Sequence, residues 1–323
     1  MKLKALAVAV VTTITLSGCS SSSQKTIGKD AFEDLANITA ISSVSEVSMD
    51  VQFDSPGKLG LQGNLVVKST KDCAQADLSN TTLKVYSSES SSDTFEVPNI
   101  SALLDMSTKE LYLSKDSMYG FMKTLGVTAE VADAADWISI EPEDIGLEVN
   151  LEELPELSNT SKYLHDIVLP KLNEVFEPIK SDLLSDDRHT IIVNSSNAAT
   201  IVDLLLSMFE DGVVQELHDK ALESGIDLTE QTISDAKSML EDSKGYLSEL
   251  TSSDSITITP TVTGVDRSRA ATLAVKVSVD NSSMVMTLTL KEGEAHLAIP
   301  EDTMTYEEYL TALKAIYTAA EGT

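Results

Sequence analysis

The chain has little of what most chemical sites are made from. Its 323 residues include two cysteines, four histidines and one tryptophan, and aromatics make up only 5%. Two cysteines at most close one disulfide, so a disulfide-stapled framework is excluded. Basic residues are also scarce: 23 Lys and Arg face 52 Asp and Glu, a net charge of −29. Nucleic acid needs a basic track to displace its counterions, so it is excluded as a partner. Anionic bilayer surfaces would likewise repel most of this surface. The chain also lacks a Gly-x-Ser-x-Gly elbow, a His-Glu-x-x-His pair, a phosphate-binding glycine loop and an EF-hand spacing. No catalytic residue is assigned, no cofactor or metal is called for, and the expectation is a non-enzyme.

A continuous apolar run long enough to span a bilayer is missing as well. The N-terminus carries Lys2 and Lys4, then an apolar stretch from Ala5 to Leu16, then Leu16-Ser17-Gly18-Cys19. A spanning helix needs about 20 apolar residues, so this stretch has the dimensions of a signal-peptide h-region. Small residues leading into a cysteine resemble a bacterial lipobox. That resemblance implies a signal peptide over residues 1–18, diacylation of Cys19 through sulfur (a palmitate-type modification) and a lipid anchor as the membrane partner. Two acyl chains anchor firmly where one is marginal. Ser20 after the cysteine, in place of aspartate, implies the outer membrane in enteric-type bacteria and the cell surface in a single-membrane organism. The protein is thus expected in the periplasm or outside the cell.

Residues 19–28 form a serine-rich spacer. Ten flexible residues span roughly 20 Å, so the folded part would stay close to the bilayer. The spacings then predict a helix from Lys29 to Ile41. Val47, Met49, Val51 and Phe53 alternate with polar residues, turn at Ser55-Pro56-Gly57, and the alternation resumes at Leu59, Leu61, Leu65 and Val67, which predicts a hairpin. Short strands are predicted at Leu83–Tyr86, Thr94–Val97, Leu111–Leu113 and Trp137–Ile140, with a helix at Ser117–Leu125.

The middle of the chain turns helical, from Leu154 to Leu184 with breaks at Pro170 and Pro178, then at Asn197–Phe209 and Val213–Glu223. Asp227 and Glu230 have capping-box spacing before a longer helix. Strands return around Ile256, Leu273–Val279, Met284–Leu290 and Ala295–Ile299, with a turn at Asp280-Asn281. A Thr305–Glu308 capping box opens a last helix. The fold class read from this order is α+β: a curved antiparallel sheet, an incomplete β-barrel, with helices on its concave side. A single domain over 29–323 with a helical insert at about 150–250 is favoured, two domains meeting near Leu184 being the alternative.

This order of elements, from lipobox and spacer to a final meander ending near Ile299-Pro300, resembles the LolA, LolB and LppX group of half-barrel lipoproteins. It is similar also to related lipoproteins of Gram-positive bacteria. The resemblance implies an apolar concavity holding the acyl chains of a lipid or of another lipoprotein. The long helical stretch between Trp137 and Ser255 departs from the pattern. On that reading the cavity lining is Met49, Val51, Phe53, Leu61, Met284, Met286 and Leu288, whose alternation places them on inward faces, and thioethers suit acyl chains of varied shape. The alternative function is an envelope scaffold or interaction lipoprotein with a filled core and no ligand.

Other polar groups carry less. Glu294 and His296, two apart on a predicted strand, lack further ligands and read as a solvated face. Asp186, Asp187 and His189 read as a charged loop, and Glu141, Glu143 and Asp144 as chance clustering in an acidic chain. Cys73 reads as a small buried residue. Replacing Cys19 by Ala is expected to abolish globomycin-sensitive processing and to move the protein from the detergent phase to the aqueous phase in a phase-partition assay; unchanged partitioning would exclude the anchor.

Overall fold

In the computed structural model, described residues are 29–39, 44–70, 72–88, 91–124, 126–141, 163–226, 228–247, 250–264 and 269–321. The signal peptide, Cys19 and the spacer lie outside them, as do Glu143, Asp144 and Asp227. The elements run α1 (Ala31–Thr39), β1 (Val44–Ser55), β2 (Leu59–Ser69), β3 (Cys73–Ser88), β4 (Ser91–Glu96), β5 (Ile100–Asp105), β6 (Leu111–Ser114), α2 (Lys115–Thr124) and β7 (Trp137–Ile140). There follow a π-helical turn (Leu164–Val168), α3 (Leu169–Phe176), a 3₁₀ turn (Glu177–Ile179), α4 (Lys180–Leu183), β8 (Ile191–Asn194), α5 (Ala198–Glu210), α6 (Val213–Glu223) and α7 (Glu230–Leu247). Last come β9 (Ser255–Thr263), β10 (Ala270–Val279), β11 (Ser282–Glu292), β12 (Thr303–Thr305) and α8 (Tyr306–Glu321). The chain is α+β, and its twelve described strands pair in an open, mostly antiparallel arrangement that does not close into a barrel.

Contacts divide the described residues into two compact units. The first takes those within Met1–Val44, Phe53–Pro56 and Glu152–Gly293, and the second those within Ser45–Gln52, Gly57–Leu151 and Glu294–Thr323.

In the first unit β11, β10, β9 and β8 lie side by side. Val275 stands between Ile258 and Met286, and Val277 between Ile256 and Met284, so these residues share one face. Val275 and Val277 are fully buried. Helix α1 lies on this face through Ala31, which packs with Leu183, Ile191 and Ile258. The helix starts where Asp30 Oδ1 accepts the amides of Phe32 and Glu33, both at 3.1 Å. Asp280, at φ 53°, makes the β10–β11 corner. Its amide donates to the buried Asp254 Oδ1 at 2.8 Å, which ties that corner to the start of β9. Pro170 and Pro178 fall at the starts of α3 and of the 3₁₀ turn, so the prolines split the helix as their missing N–H requires. Helix α7 is capped by Thr229, whose Oγ1 accepts the amide of Thr232 at 3.1 Å.

In the second unit the strand order is β12-β7-β6-β5-β3-β2-β1, with β4 attached to β3 alone. β12 and β7 are a parallel pair. Two helices pack on one end of this sheet: Met118 and Met122 of α2 and Tyr309 and Leu313 of α8 bury Ile138 and Ile140 of β7. The capping box of α8 forms as its spacing predicts, with Thr305 Oγ1 accepting the Glu308 amide at 3.2 Å and Glu308 Oε2 accepting the Thr305 amide at 2.9 Å.

One expected strand is absent, and three strand segments form that the alternation does not predict. Ala295–Ile299 forms no strand; the segment runs into Pro300, and Leu297 packs on Cys73, Leu103 and Tyr112. The first half of β3 is not predicted, because Asn80 at φ 52° and Thr81 stand opposite the single residue Gly63 and shift the alternation with a bulge; β5, Ile100–Asp105, is not predicted either. β12, only three residues long, gives no periodic signal at all. Ile138→Ala should cost about 3 kcal/mol in urea unfolding and Thr305→Ala about 1 kcal/mol.

Candidate functional site

Residues paired directly across neighbouring strands point to the same side of a sheet. In the second unit the registers Leu61↔Leu83↔Phe95 and Leu59↔Val85 therefore put five apolar side chains on one face. Beyond the bulge that face continues through Leu65↔Leu78↔Ile100 and Val67↔Ala76↔Ala102, and from Ala102 through Leu113 to Ile138. β1 joins it by a side-chain argument. Asn64 Nδ2 donates to Asp50 Oδ1 at 2.7 Å, and Lys68 pairs with Glu46 at 3.8 Å. Both contacts join even-numbered residues, so the odd-numbered Met49 and Val51 belong with Leu61 and Leu65.

The exposure of this face rises across the sheet. Ile138, beneath α2 and α8, is 0% exposed; Leu65, Leu78, Met49 and Val51 are half-buried; Leu61 is 40%, Val85 41% and Phe95 55% exposed. Gly120 marks how closely α2 is seated on the strand connections, since a Cβ there would lie 2.6 Å from the Pro98 side chain. The opposite face is polar over β1 to β3. Asn64 also accepts from Ser79, and Asp77 takes hydrogen bonds from Gln75 and Ser101. Near β5 and β6 it carries a small core of Cys73, Leu103 and Tyr112. Burial and the neighbouring Glu110 carboxylate push the Tyr112 hydroxyl up to about 12.

The expected lining residues divide between the units. Met49, Val51 and Leu61 come together on the face just described. Met284, Met286 and Leu288 sit in the first unit, half-buried and opposite the buried Val277, Val275 and Leu273. Phe53, also half-buried, belongs to the first unit's part of β1. The spacing argument found Leu65, Val67, Leu83 and Val97 as strand residues without assigning them to the site. It missed Leu78 and Ile100, whose strands it did not foresee.

Polar clusters are fewer. Glu294 and His296 lie on irregular chain, so their expected strand neighbourhood does not exist. Among the described residues no three His, Cys, Asp or Glu side chains gather as metal ligands. A groove of about 250 Å³ in the first unit is lined by Asp166, Lys171, Glu174, Glu216 and Lys220. Its cations are matched, Lys171 to Glu174 at 3.2 Å and Lys220 to Glu216 at 2.8 Å. The Asp186–His189 loop does not hold a metal cluster; it fastens α1. Ala31 N donates to Arg188 O at 2.8 Å, Lys180 and Arg188 approach Asp30 Oδ2 at 3.2 and 3.4 Å, and His189 Nδ1 lies 3.5 Å from the buried Asp34. No described helix is long and apolar enough to cross a membrane.

Comparison of the chain with protein-family models, with curated proteins and with solved structures finds no match. The apolar face of the second unit is therefore interpreted from its own geometry.

Burial raises the Asp30 pKa, but the Glu33 amide, Lys180 and Arg188 outweigh it and hold the carboxyl below its ordinary 3.8. A depressed pKa contributes stability that is present above the unfolded value and is lost as pH falls through the folded one. Unfolding free energy measured from neutral pH down to below pH 3.8 should therefore fall in the native chain. In Asp30→Asn it should start lower and fall less over the same range; parallel curves would exclude Asp30 as the source.

Proposed function

We propose that this chain is a lipid-anchored extracytoplasmic protein, without catalysis, that binds a lipid or other amphiphile along the apolar sheet face of the second unit. One observation carries the reading: the mostly apolar face runs from a helix-covered core to residues 40% and more exposed, with polar side chains entering it at Thr81, beside Gly63, and at Asp93, opposite Val85. An acyl chain laid on the half-buried part would remove both itself and Met49, Val51, Leu65 and Leu78 from water. Each methylene buried stabilises by about 0.8 kcal/mol, so burial of about ten methylenes, most of an acyl chain's length, corresponds to binding in the micromolar range. The polar network on the opposite face keeps that side wetted. In this reading the sheet curls as an incomplete barrel with helices on its concave side. The lipidated Cys19 and its short spacer hold the face near the membrane that supplies or receives the ligand, at the outer membrane or cell surface.

The test is native mass spectrometry of the soluble chain from Ser20 onward, lacking the signal peptide and the lipidated Cys19, together with titration of a fluorescent fatty acid. Co-purified lipid and saturable uptake are expected. Leu61→Lys, at an exposed position, should weaken uptake about tenfold while leaving the thermal midpoint unchanged. A chain that emerges lipid-free and takes up no fatty acid would overturn the proposal in favour of a scaffold with a filled core.

A further inference from the structure

β4 is an edge strand. It pairs with β3 and with no other described strand. Which of its backbone groups are used by that pairing follows from one bond. Val97 N donates to Thr81 O at 2.8 Å. In an antiparallel pair the bonded residues alternate, so Phe95 and Asp93 also turn their N–H and C=O groups towards β3. Tyr86 N, reaching Lys58 O on the β2 side, shows the same alternation from the other edge of β3. Ser92, Thr94 and Glu96 therefore point their backbone donors and acceptors away from the sheet.

Edge strands are blunted by lysine, proline, other charges or a bulge along their length; the charges on β4 are acidic alone, Asp93 and Glu96, and an incoming cation can neutralise them. Ser91–Glu96 contains neither lysine nor proline, and its one register shift lies at the hairpin end, between Tyr86 and Ser88. Beside the open edge stand Leu61, Leu83, Val85 and Phe95 on one face, and Asp93, directly opposite Val85, stands among them. Asp93 has no ion-pair partner among the described residues. The neighbouring Lys84 lies on the other face, over the Tyr86 ring at 4.5 Å.

We propose that β4 is a strand-addition site for an extended peptide with apolar side chains at every second position and a lysine or arginine among them. Main-chain bonds to Ser92, Thr94 and Glu96 supply the pairing, Phe95 and Val85 receive the apolar side chains, and Asp93 receives the cation. The features of the edge select this occupant over two others. A bilayer would bury the outward N–H and C=O groups of β4 with no partners, which hydrocarbon does not tolerate. A second copy pairing across a two-fold axis would set two chains of net charge −29 edge to edge, with no lysine or arginine on β4 to pair with Asp93 and Glu96. The proposal is independent of ligand binding on the half-buried part of the same face.

The test uses the soluble chain from Ser20 onward, lacking the signal peptide and the lipidated Cys19, and the fluorescein-labelled peptide Thr-Val-Thr-Lys-Thr-Val-Thr, read by fluorescence anisotropy. Saturable binding is expected, and an N-methylated copy of the peptide should not bind. Thr94→Pro removes an outward donor at a position an edge strand tolerates, and should weaken binding at least tenfold, with circular dichroism reporting the fold. Asp93→Lys should weaken it similarly, and the peptide with glutamate in place of lysine should restore binding to that variant alone. Equal binding of the N-methylated peptide, or indifference to both substitutions, would overturn the proposal. So would Phe95-dependent dimerisation in sedimentation velocity, or Phe95-dependent binding to phosphatidylcholine vesicles, when no peptide binding is seen.

Discussion

The second unit depends on a mismatch of widths between its sheet and its helical cover. Seven strands about 4.8 Å apart make a sheet nearly 30 Å wide. Two helices side by side, each about 10 Å across, cover roughly two-thirds of that. α2 and α8 are both drawn to the β6-β7-β12 end, α2 because it follows β6 directly and α8 because it follows β12. The cover therefore ends before β2, and an apolar face that has to exist for the covered strands to pack extends beyond its own core.

That geometry leaves an apolar face as the prominent unassigned surface of the second unit. Acidic side chains are plentiful, yet those that are buried have structural partners. Asp30 caps α1 and faces Lys180 and Arg188; Asp254 holds Thr251 and Asp280; Asp105 closes the turn after β5 through Ser107 and Thr108. Each of these carboxylates is tied to backbone amides or side chains that fix a helix start, a strand corner or a turn. The feature left over is apolar and extended, a shape suited to chains and strands more than to small polar substrates.

The two units solve the same packing problem to different degrees. In the first, β9 and β10 present Ile256, Leu273, Val275 and Val277 to a cover that includes α1, and those side chains are fully buried or nearly so. Met284, Met286 and Leu288 of β11 are less buried than their β10 partners Val277, Val275 and Leu273. Methionine and leucine at such positions adapt to an incomplete cover more readily than β-branched residues do. The same class of residue thus reads as core margin in one unit and as candidate surface in the other, the difference being how far the cover reaches.

The sequence by itself determined the local elements whose signals are local. Alternation from Val47 to Val67 gave the first hairpin, Pro170 and Pro178 gave the breaks around α3, and Thr305 with Glu308 gave the start of α8. Lysine, apolar residues and Leu16–Cys19 likewise define the lipobox pattern without any fold. Only the tertiary structure decided which alternating residues share a face, because register depends on partners distant in sequence. A one-residue bulge at Asn80 and Thr81 was enough to hide half of β3 from a reading by period. It also decided that Leu61 is exposed while Ile138 is buried, though both are apolar residues in alternating strands. Period reports which side of a strand a residue takes; only the reach of the packed helices sets whether that side meets protein or is left open.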